Sequence, residues 1–179
     1  KVSFKPFGSA LNGSSRTAGD AIKEINSLYI LFYDVNKNLI QELGFNATNV
    51  DGYEYKSHDY QVPENPDAEK EHTAESKAPC AKFQKTIPYG KYYIFAVANF
   101  DLTDKDYSTI EKLRSLQLTW NNDVAKNNEM FGYFTTNKVN EKPNGWQSAD
   151  PIAITSPTVN LHAWVRRAAS KVTIAYDGS

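Results

Sequence analysis

Apolar residues occur in short runs along this chain, and most of these runs alternate with polar positions at a period of two residues. Alternation of this kind is typical of β-strands that bury one face. It is clearest in residues 159–177, where two such runs are separated by a short step at residues 167–169 that contains neither Gly nor Pro. We therefore predict two consecutive strands that bend or change sheets, as strands of a β-sandwich do, with alternating core positions at Val159, Leu161, Ala163, Val165, Val172, Ile174 and Tyr176.

Similar patterns upstream predict further strands at residues 2–6, 27–35, 39–43, 80–87, 91–99, 130–135 and 151–155. Two of these segments, 27–35 and 91–99, are apolar on both faces, so we predict that they are buried strands in the centre of a sheet. The polar residues 36–38 predict a turn that makes a hairpin of residues 27–43, and Asp51-Gly52 predicts a second hairpin. Pro6 favours an edge or a strand end for the first strand.

Residues 104–118 change to a helical period. Ile110, Leu113 and Leu116 recur at the spacing of one helix face, and Ser108 and Glu111 have the spacing of a capping box. Two aspartates upstream, at positions 104 and 106, would favour the helix dipole. We predict one helix of about three turns that lies across the sheets.

The remaining segments have little to bury. Residues 8–19 are small and polar, and residues 56–79 contain only one aliphatic residue larger than Ala, Val62, among many acidic and lysine residues. We predict a surface loop for the first segment and a long acidic loop for the second. With further loops at 121–128 and 137–150 and no shift in composition, residues 1–179 are predicted to form a single, mostly β domain, an antiparallel β-sandwich with one short helix.

Charge and hydropathy exclude several classes of partner. Twenty Lys and Arg residues stand against 21 Asp and Glu, which gives no electrostatic footprint for nucleic acid or for an anionic membrane surface. The longest apolar runs are far shorter than the ~20 residues of a membrane-spanning helix. The chain starts without Met or an apolar leader, so we expect a fragment or a mature form.

No combination of residues has the spacing of a catalytic or metal site. His58 and His72 lie among carboxylates but without a ligand motif such as H-x-x-x-H, and His162 occupies a polar position of an alternating strand, which predicts a surface residue. Cys80, the single cysteine, follows Pro79 and is predicted to be a small apolar strand residue. We therefore expect no enzymatic activity, no cofactor and no bound metal.

The aromatic content leaves two interpretations open. Aromatic residues at alternating positions usually belong to the core or to cross-strand pairs, which is the interpretation we favour. An exposed group of the same residues would instead form a stacking platform for sugars, as in a glycan-binding module. The residues concerned are Tyr29, Tyr33, Tyr53, Tyr55, Trp120, Trp146 and Trp164.

Four segments, in this order, resemble the N-terminal domain of the Bacteroidales fimbrillin families, which include major and minor fimbrium subunits and their anchor and tip relatives. Residues 25–34 are similar to the family's I-x-x-L-x-V-L-V-F-D strand, and residues 89–99 to its G-x-Y-x-x-x-A-V-A-N. Residues 130–132 are similar to its M-S-G, and residues 161–174 to its L-x-R-x-V-A-K-V-x-V. The chain departs from the pattern at Phe131, at Ser170 and in the acidic insert of residues 56–79.

This resemblance implies a transthyretin-like β-sandwich in a structural and adhesive subunit of a cell-surface fimbria. It implies an extracellular location at the outer membrane, with a lipidated Cys upstream of Lys1 as the anchor. The implied partners are other fimbrial subunits, which add a strand to this domain after proteolysis has removed its first strand, and host proteins or glycans.

Arg16 matches the site after which a trypsin-like protease would cut, since it lies in the small and polar loop between the first strand and the strand at residues 27–35. On the same residues, the first strand is expected to be a detachable edge. The alternative is an ordinary solvated arginine in an anchor or tip protein that is never processed.

Overall fold

The computed structural model describes residues 2–5, 25–56, 80–116, 129–136 and 150–167. These residues form a mostly β structure with one short helix, α1 (Ile110–Ser115). This confirms the predicted class at that level. The strands are β1 (Val2–Lys5), β2 (Leu28–Tyr33), β3 (Phe45–Asn46), β4 (Glu54–Lys56), β5 (Cys80–Lys82), β6 (Gly90–Ala98), β7 (Met130–Thr135), β8 (Ile152–Ile154) and β9 (His162–Arg167).

The hydrogen-bonded order of the strands is β3-β2-β6-β7-β9-β1-β5-β4. Every pair in this path is antiparallel except β1 with β9, which run parallel. The fully antiparallel arrangement that we predicted is therefore wrong at this one pair. The ninth strand, β8, pairs with residues 90–92 of β6, while residues 93–98 of the same strand pair with β2.

The path of strands must be curved, since β3 and β4, which lie at its two ends, are joined by a short connection. Only residues 47–53 separate β3 from β4, and a connection of this length spans at most about 28 Å. One apolar cluster accordingly contains residues of β2, β5, β6, β7, β8 and β9. The sheet wraps around this cluster, which we call the inner core, and the result is sandwich-like.

The two faces of the central strands follow the predicted period of two. Even-numbered residues such as Ile30 and Ile94 belong to the inner core. Odd-numbered residues such as Leu31 and Phe95 belong to a second cluster on the opposite face, which we call the outer core and which also contains Ile110 and Leu113 of α1. Both faces of β2 and β6 are therefore buried, as predicted for central strands.

The helix is shorter than the predicted segment of residues 104–118. It begins after Thr109, whose side-chain oxygen accepts a hydrogen bond from the Lys112 backbone N–H at 3.2 Å. Ser108 does not cap it, because its N–H and hydroxyl both donate to Asp106 in a preceding turn. The apolar spacing predicted the buried face, whereas local side-chain bonds decide where the helix starts.

Hydrogen bonds between distant parts of the chain attach α1 to the turn after β2. The Leu39 N–H donates to the Ser108 carbonyl at 2.9 Å, and the Ile110 N–H donates to the Lys37 carbonyl at 3.1 Å. The Tyr33 hydroxyl, at the end of β2, donates to the Tyr107 carbonyl at 2.8 Å. Burial raises the pKa of Tyr33, so this hydroxyl stays protonated and remains a donor. The helix layer is thus fixed to β2 by polar as well as apolar contacts.

Two predicted strands differ from the structure. Residues 39–43 contribute one bridge, Tyr33 with Leu39, and then a 3-10 turn. The strand beside β2 on the side away from β6 is therefore β3. The strand predicted at 80–87 ends at Lys82, and it pairs with β1 and β4 rather than with β6. Phe83 and Ile87 still pack against the inner core. These two side chains are therefore partly buried although their backbone belongs to no strand, which is why their apolar pattern was taken for a longer strand.

Substitution of Tyr33 by Phe should weaken the attachment of α1. The change removes one hydroxyl and leaves the Tyr107 carbonyl without this donor, while the ring contacts in the outer core remain. We expect a loss of about 1 kcal/mol in the free energy of unfolding, measured by urea titration. The matched control is Tyr89→Phe, since Tyr89 is 64% exposed; equal stability of the two variants would contradict the assigned role.

Candidate functional site

The first strand lies inside the sheet, which corrects our expectation of an edge strand. All four residues of β1 are in register with β9, from Val2 with Ala163 to Lys5 with Arg166. On the other side, Val2 and Ser3 pair with Ala81 and Cys80 of β5. The sequence suggested an edge because of Pro6, which lies outside the described residues, whereas the described Val2–Lys5 pair with β9 along their whole length.

Three residues that flank β1 are completely buried. Ala81, Ala163 and Val165 each have 0% exposure and belong to the inner core. The register sets Val2 between the two alanines and Phe4 beside Val165. If β1 were absent, the facing edges of β9 and β5 would lose their hydrogen-bond partner next to these buried side chains. We call this space, bounded by Ala81, Ala163, Val165 and the two strand edges, the β1 groove.

The remaining parts of the sequence-predicted site lie outside the described residues. Arg16 falls in the gap between residues 5 and 25, and most of the acidic loop of residues 56–79 falls in a second gap. The last predicted strand, at residues 172–176, and the loops at 121–128 and 137–149 are also outside. The structure therefore describes the β1 groove but not the predicted cleavage site.

A second feature, which sequence reasoning missed, is a polar cleft where β2 and β7 begin and β6 ends. Its volume is about 360 Å³, near the lower end of the range of roughly 300–1,000 Å³ for small-molecule sites. Asp101 lies at this cleft together with Asn26, Ser27, Tyr29, Asn99, Phe100 and Glu129. No motif could have indicated it, because three distant segments meet only in the folded chain.

Asn99 shapes one wall of the cleft. Its backbone has a φ of 55°, in the left-handed region that Asn adopts more readily than most residues. Its side-chain oxygen accepts hydrogen bonds from the N–H groups of Asn26, at 2.8 Å, and Ser27, at 3.4 Å. Its own N–H donates to the Ser27 carbonyl at 3.0 Å. The start of β2 is thereby fixed against the end of β6.

The two carboxyl groups of the cleft have opposite environments. Among the described residues, Glu129 Oε2 is buried and has no hydrogen-bond partner, and burial raises the pKa of Glu129. Asp101 is exposed, and hydrogen bonds from Thr103 lower the pKa of Asp101. The cleft therefore combines an exposed, ionised carboxylate, Asp101, with a desolvated carboxyl group, Glu129.

The four described tyrosines of the predicted aromatic set are buried or partly buried. Tyr33 is fully buried, Tyr29 packs against the outer core, and Tyr53 and Tyr55 pack against the inner core. Trp120 and Trp146 lie outside the described residues, as do His58 and His72, and Trp164 is described by its backbone alone. His162 is half-buried in β9 rather than on the surface, and Cys80 takes its predicted place at the start of β5.

Comparison with protein-family models, curated proteins and solved structures finds no match to this chain. Within the part of the chain that the structure describes, no helix has the length and apolar character needed to cross a membrane.

Enlarging a buried side chain beside β1 should destabilise the domain. We expect Ala163→Leu to lower the free energy of unfolding by about 1–3 kcal/mol, because Ala163 has no exposed surface and the added atoms must displace β1 or its neighbours. Chemical denaturation measures the loss. Ala153→Leu is the control, since Ala153 is exposed in β8 and should tolerate the change; a similar loss in both variants would contradict the packing described.

Glu129→Gln should stabilise the domain in a pH-dependent way. Because burial raises the pKa of Glu129, the folded state holds this proton more tightly than the unfolded chain does. The wild type should therefore lose stability as the pH rises from the unfolded value, about 4.3, through the folded pKa.

The advantage of the Gln variant should accordingly widen between about pH 4 and pH 7. Urea midpoints measured across this interval test it, with Glu42→Gln, at an exposed side chain, as the control. A difference that stays constant with pH would show that the carboxyl group is not desolvated.

Proposed function

We propose that this chain is the N-terminal domain of a structural and adhesive subunit of a cell-surface fimbria, with a transthyretin-like β-sandwich fold. The proposal rests on the resemblance of residues 25–34, 89–99, 130–132 and 161–174 to the fimbrillin families. In this proposal the protein is extracellular and carries a lipid anchor upstream of Lys1. It assembles when a strand of the next subunit takes the place of β1.

The observation that carries the proposal is the position of β1. An edge strand could leave without opening the core, but β1 pairs on both sides, with β9 and with β5. Its departure would leave a groove between two unpaired strand edges, bordered by the buried residues Ala81, Ala163 and Val165. A strand from another molecule would restore the hydrogen bonds and place apolar side chains beside these residues.

The length of the donor strand would also favour replacement. Within the described residues, β1 has four positions, and two of them pair with β5. A donor strand that makes more backbone hydrogen bonds and buries more apolar surface than β1 would be favoured once the covalent connection of β1 to the domain has been cut.

An anchor or tip protein of the same family is the alternative assignment for this fold. Such a protein would keep β1 permanently, and Arg16 would be a solvated residue of no special role. The two assignments differ in whether cleavage after Arg16 is followed by exchange of β1, which can be measured directly.

Limited trypsin digestion of the folded protein tests the proposal. We expect selective cleavage after Arg16, followed by uptake of a fluorescent peptide that carries alternating apolar residues. Uptake is measured by anisotropy, and the peptide should co-elute with the cleaved domain while the β1 fragment is lost. The Arg16→Gln variant should be neither cut at this position nor able to take up the peptide.

Two further controls make the result specific. A peptide with its apolar residues replaced by Ser should not bind, because it cannot make apolar contacts with the side chains that border the groove. The Ala153→Leu variant should take up the original peptide normally, since Ala153 is exposed in β8. Resistance at Arg16, or cleavage without peptide uptake, would exclude assembly by strand exchange and favour the anchor or tip assignment.

A further inference from the structure

We propose that the polar cleft at the end of β2, β6 and β7 binds an alkylammonium group, the cation carried by lysine side chains and by small aliphatic amines. This inference does not depend on the fimbrial proposal, because no residue of β1 contributes to the cleft. It follows from the charges, the rings and the unmet hydrogen bond of the described lining.

The first step is the unmet hydrogen bond of Glu129. A buried carboxylate oxygen without a donor is unfavourable, because it has lost water and gained nothing in exchange. Glu129 Oε2 is in this condition among the described residues. An ammonium group that enters the cleft would donate an N–H to this oxygen and place a full positive charge beside it, so both costs would be relieved by one ligand atom.

The second step is the charge of the cleft. The described lining contains two carboxyl groups and no Lys or Arg. Asp101 is ionised at neutral pH, because hydrogen bonds from Thr103 lower the pKa of Asp101. Lys105 also acts on Asp101 electrostatically, but it is not part of the described lining, so the lining itself favours cations over anions.

The third step is the aromatic lining. Tyr29 and Phe100 border the cleft, and both also pack against the outer core, so they cannot readily move away. Ring faces attract ammonium groups, and the attraction increases when water is excluded. The methylene groups next to the nitrogen would lie against the same rings. A neutral sugar would use the rings as well but would bring no positive charge to the two carboxyl groups.

The fourth step is rigidity. The left-handed Asn99 holds the start of β2 through its bonds to the N–H groups of Asn26 and Ser27. Glu129 immediately precedes Met130, which is 1% exposed and belongs to the inner core. The lining is thus held by buried strands on each side, and little ordering would be required when the ligand binds.

Isothermal titration with three small probes tests the inference on the full chain. Nα-acetyl-lysine amide and 1,5-diaminopentane should bind, and Nα-acetyl-norleucine amide, which has the alkyl chain without the charge, should bind at least tenfold more weakly. Tighter binding of the lysine amide would identify a partner's lysine side chain as the ligand, and tighter binding of the diamine would identify a free amine. Equal binding of the lysine and norleucine amides would overturn the proposal.

Three variants locate the binding. Glu129→Gln keeps the shape of the side chain and relieves a buried charge, so it should fold, yet it should weaken binding of the lysine amide at least tenfold. Asp101→Asn, at the exposed carboxylate, should weaken it two- to threefold, and Glu42→Gln, at an exposed site outside the lining, should leave it unchanged. Unchanged affinity in Glu129→Gln would overturn the proposal.

Chemical-shift mapping on the wild-type protein gives a readout that needs no variant. The lysine amide should shift the backbone amide resonances of Ser27, Asn99 and Glu129. If the ligand-induced shifts lie elsewhere, or if a neutral hexose shifts these resonances while the amines do not, the assignment of an ammonium site is wrong.

Discussion

The pairing of β2 with β6 is the contact on which the rest of the described structure depends. Six consecutive residue pairs, from Leu28 with Ala98 to Tyr33 with Tyr93, join the two strands. Both strands bury both faces, so the same ladder supports the inner core and the outer core. Its turn end attaches α1, and its opposite end forms two sides of the polar cleft. Disruption of this ladder would expose both cores and separate the two sides of the polar cleft.

Sequence reasoning succeeded where structure is determined locally. The segments at residues 27–35 and 91–99 were predicted as central strands because apolar residues at successive positions can be buried only if both faces of a strand are covered. The buried face of α1 was likewise present in the spacing of Ile110 and Leu113. The mostly β class follows from these patterns, since a period of two is a property of the backbone itself.

Sequence reasoning failed where residues far apart in the chain determine the structure. Nothing near Val2 indicates that its neighbours are Ala81 and Ala163, so an internal strand was taken for an edge. The polar cleft was missed for the same reason, because Asn26, Asn99 and Glu129 share no spacing that marks a site. The start of the helix was misplaced by competition among short polar side chains, in which Thr109 caps the helix and Ser108 bonds to Asp106.

The parallel pairing of β1 with β9 also has a consequence for the order of folding. Val2 and Ala163 are about 160 residues apart in the chain, and closing a loop of that size costs on the order of 4–5 kcal/mol in chain entropy. During synthesis β1 is made about 160 residues before its partner β9. Contacts of such long range form late in folding, so we expect the pairing of β1 with β9 to follow local pairings such as that of β2 with β6. Until β1 and β9 pair, the edge of β9 is open to another segment, which would compete with β1 for the same hydrogen bonds.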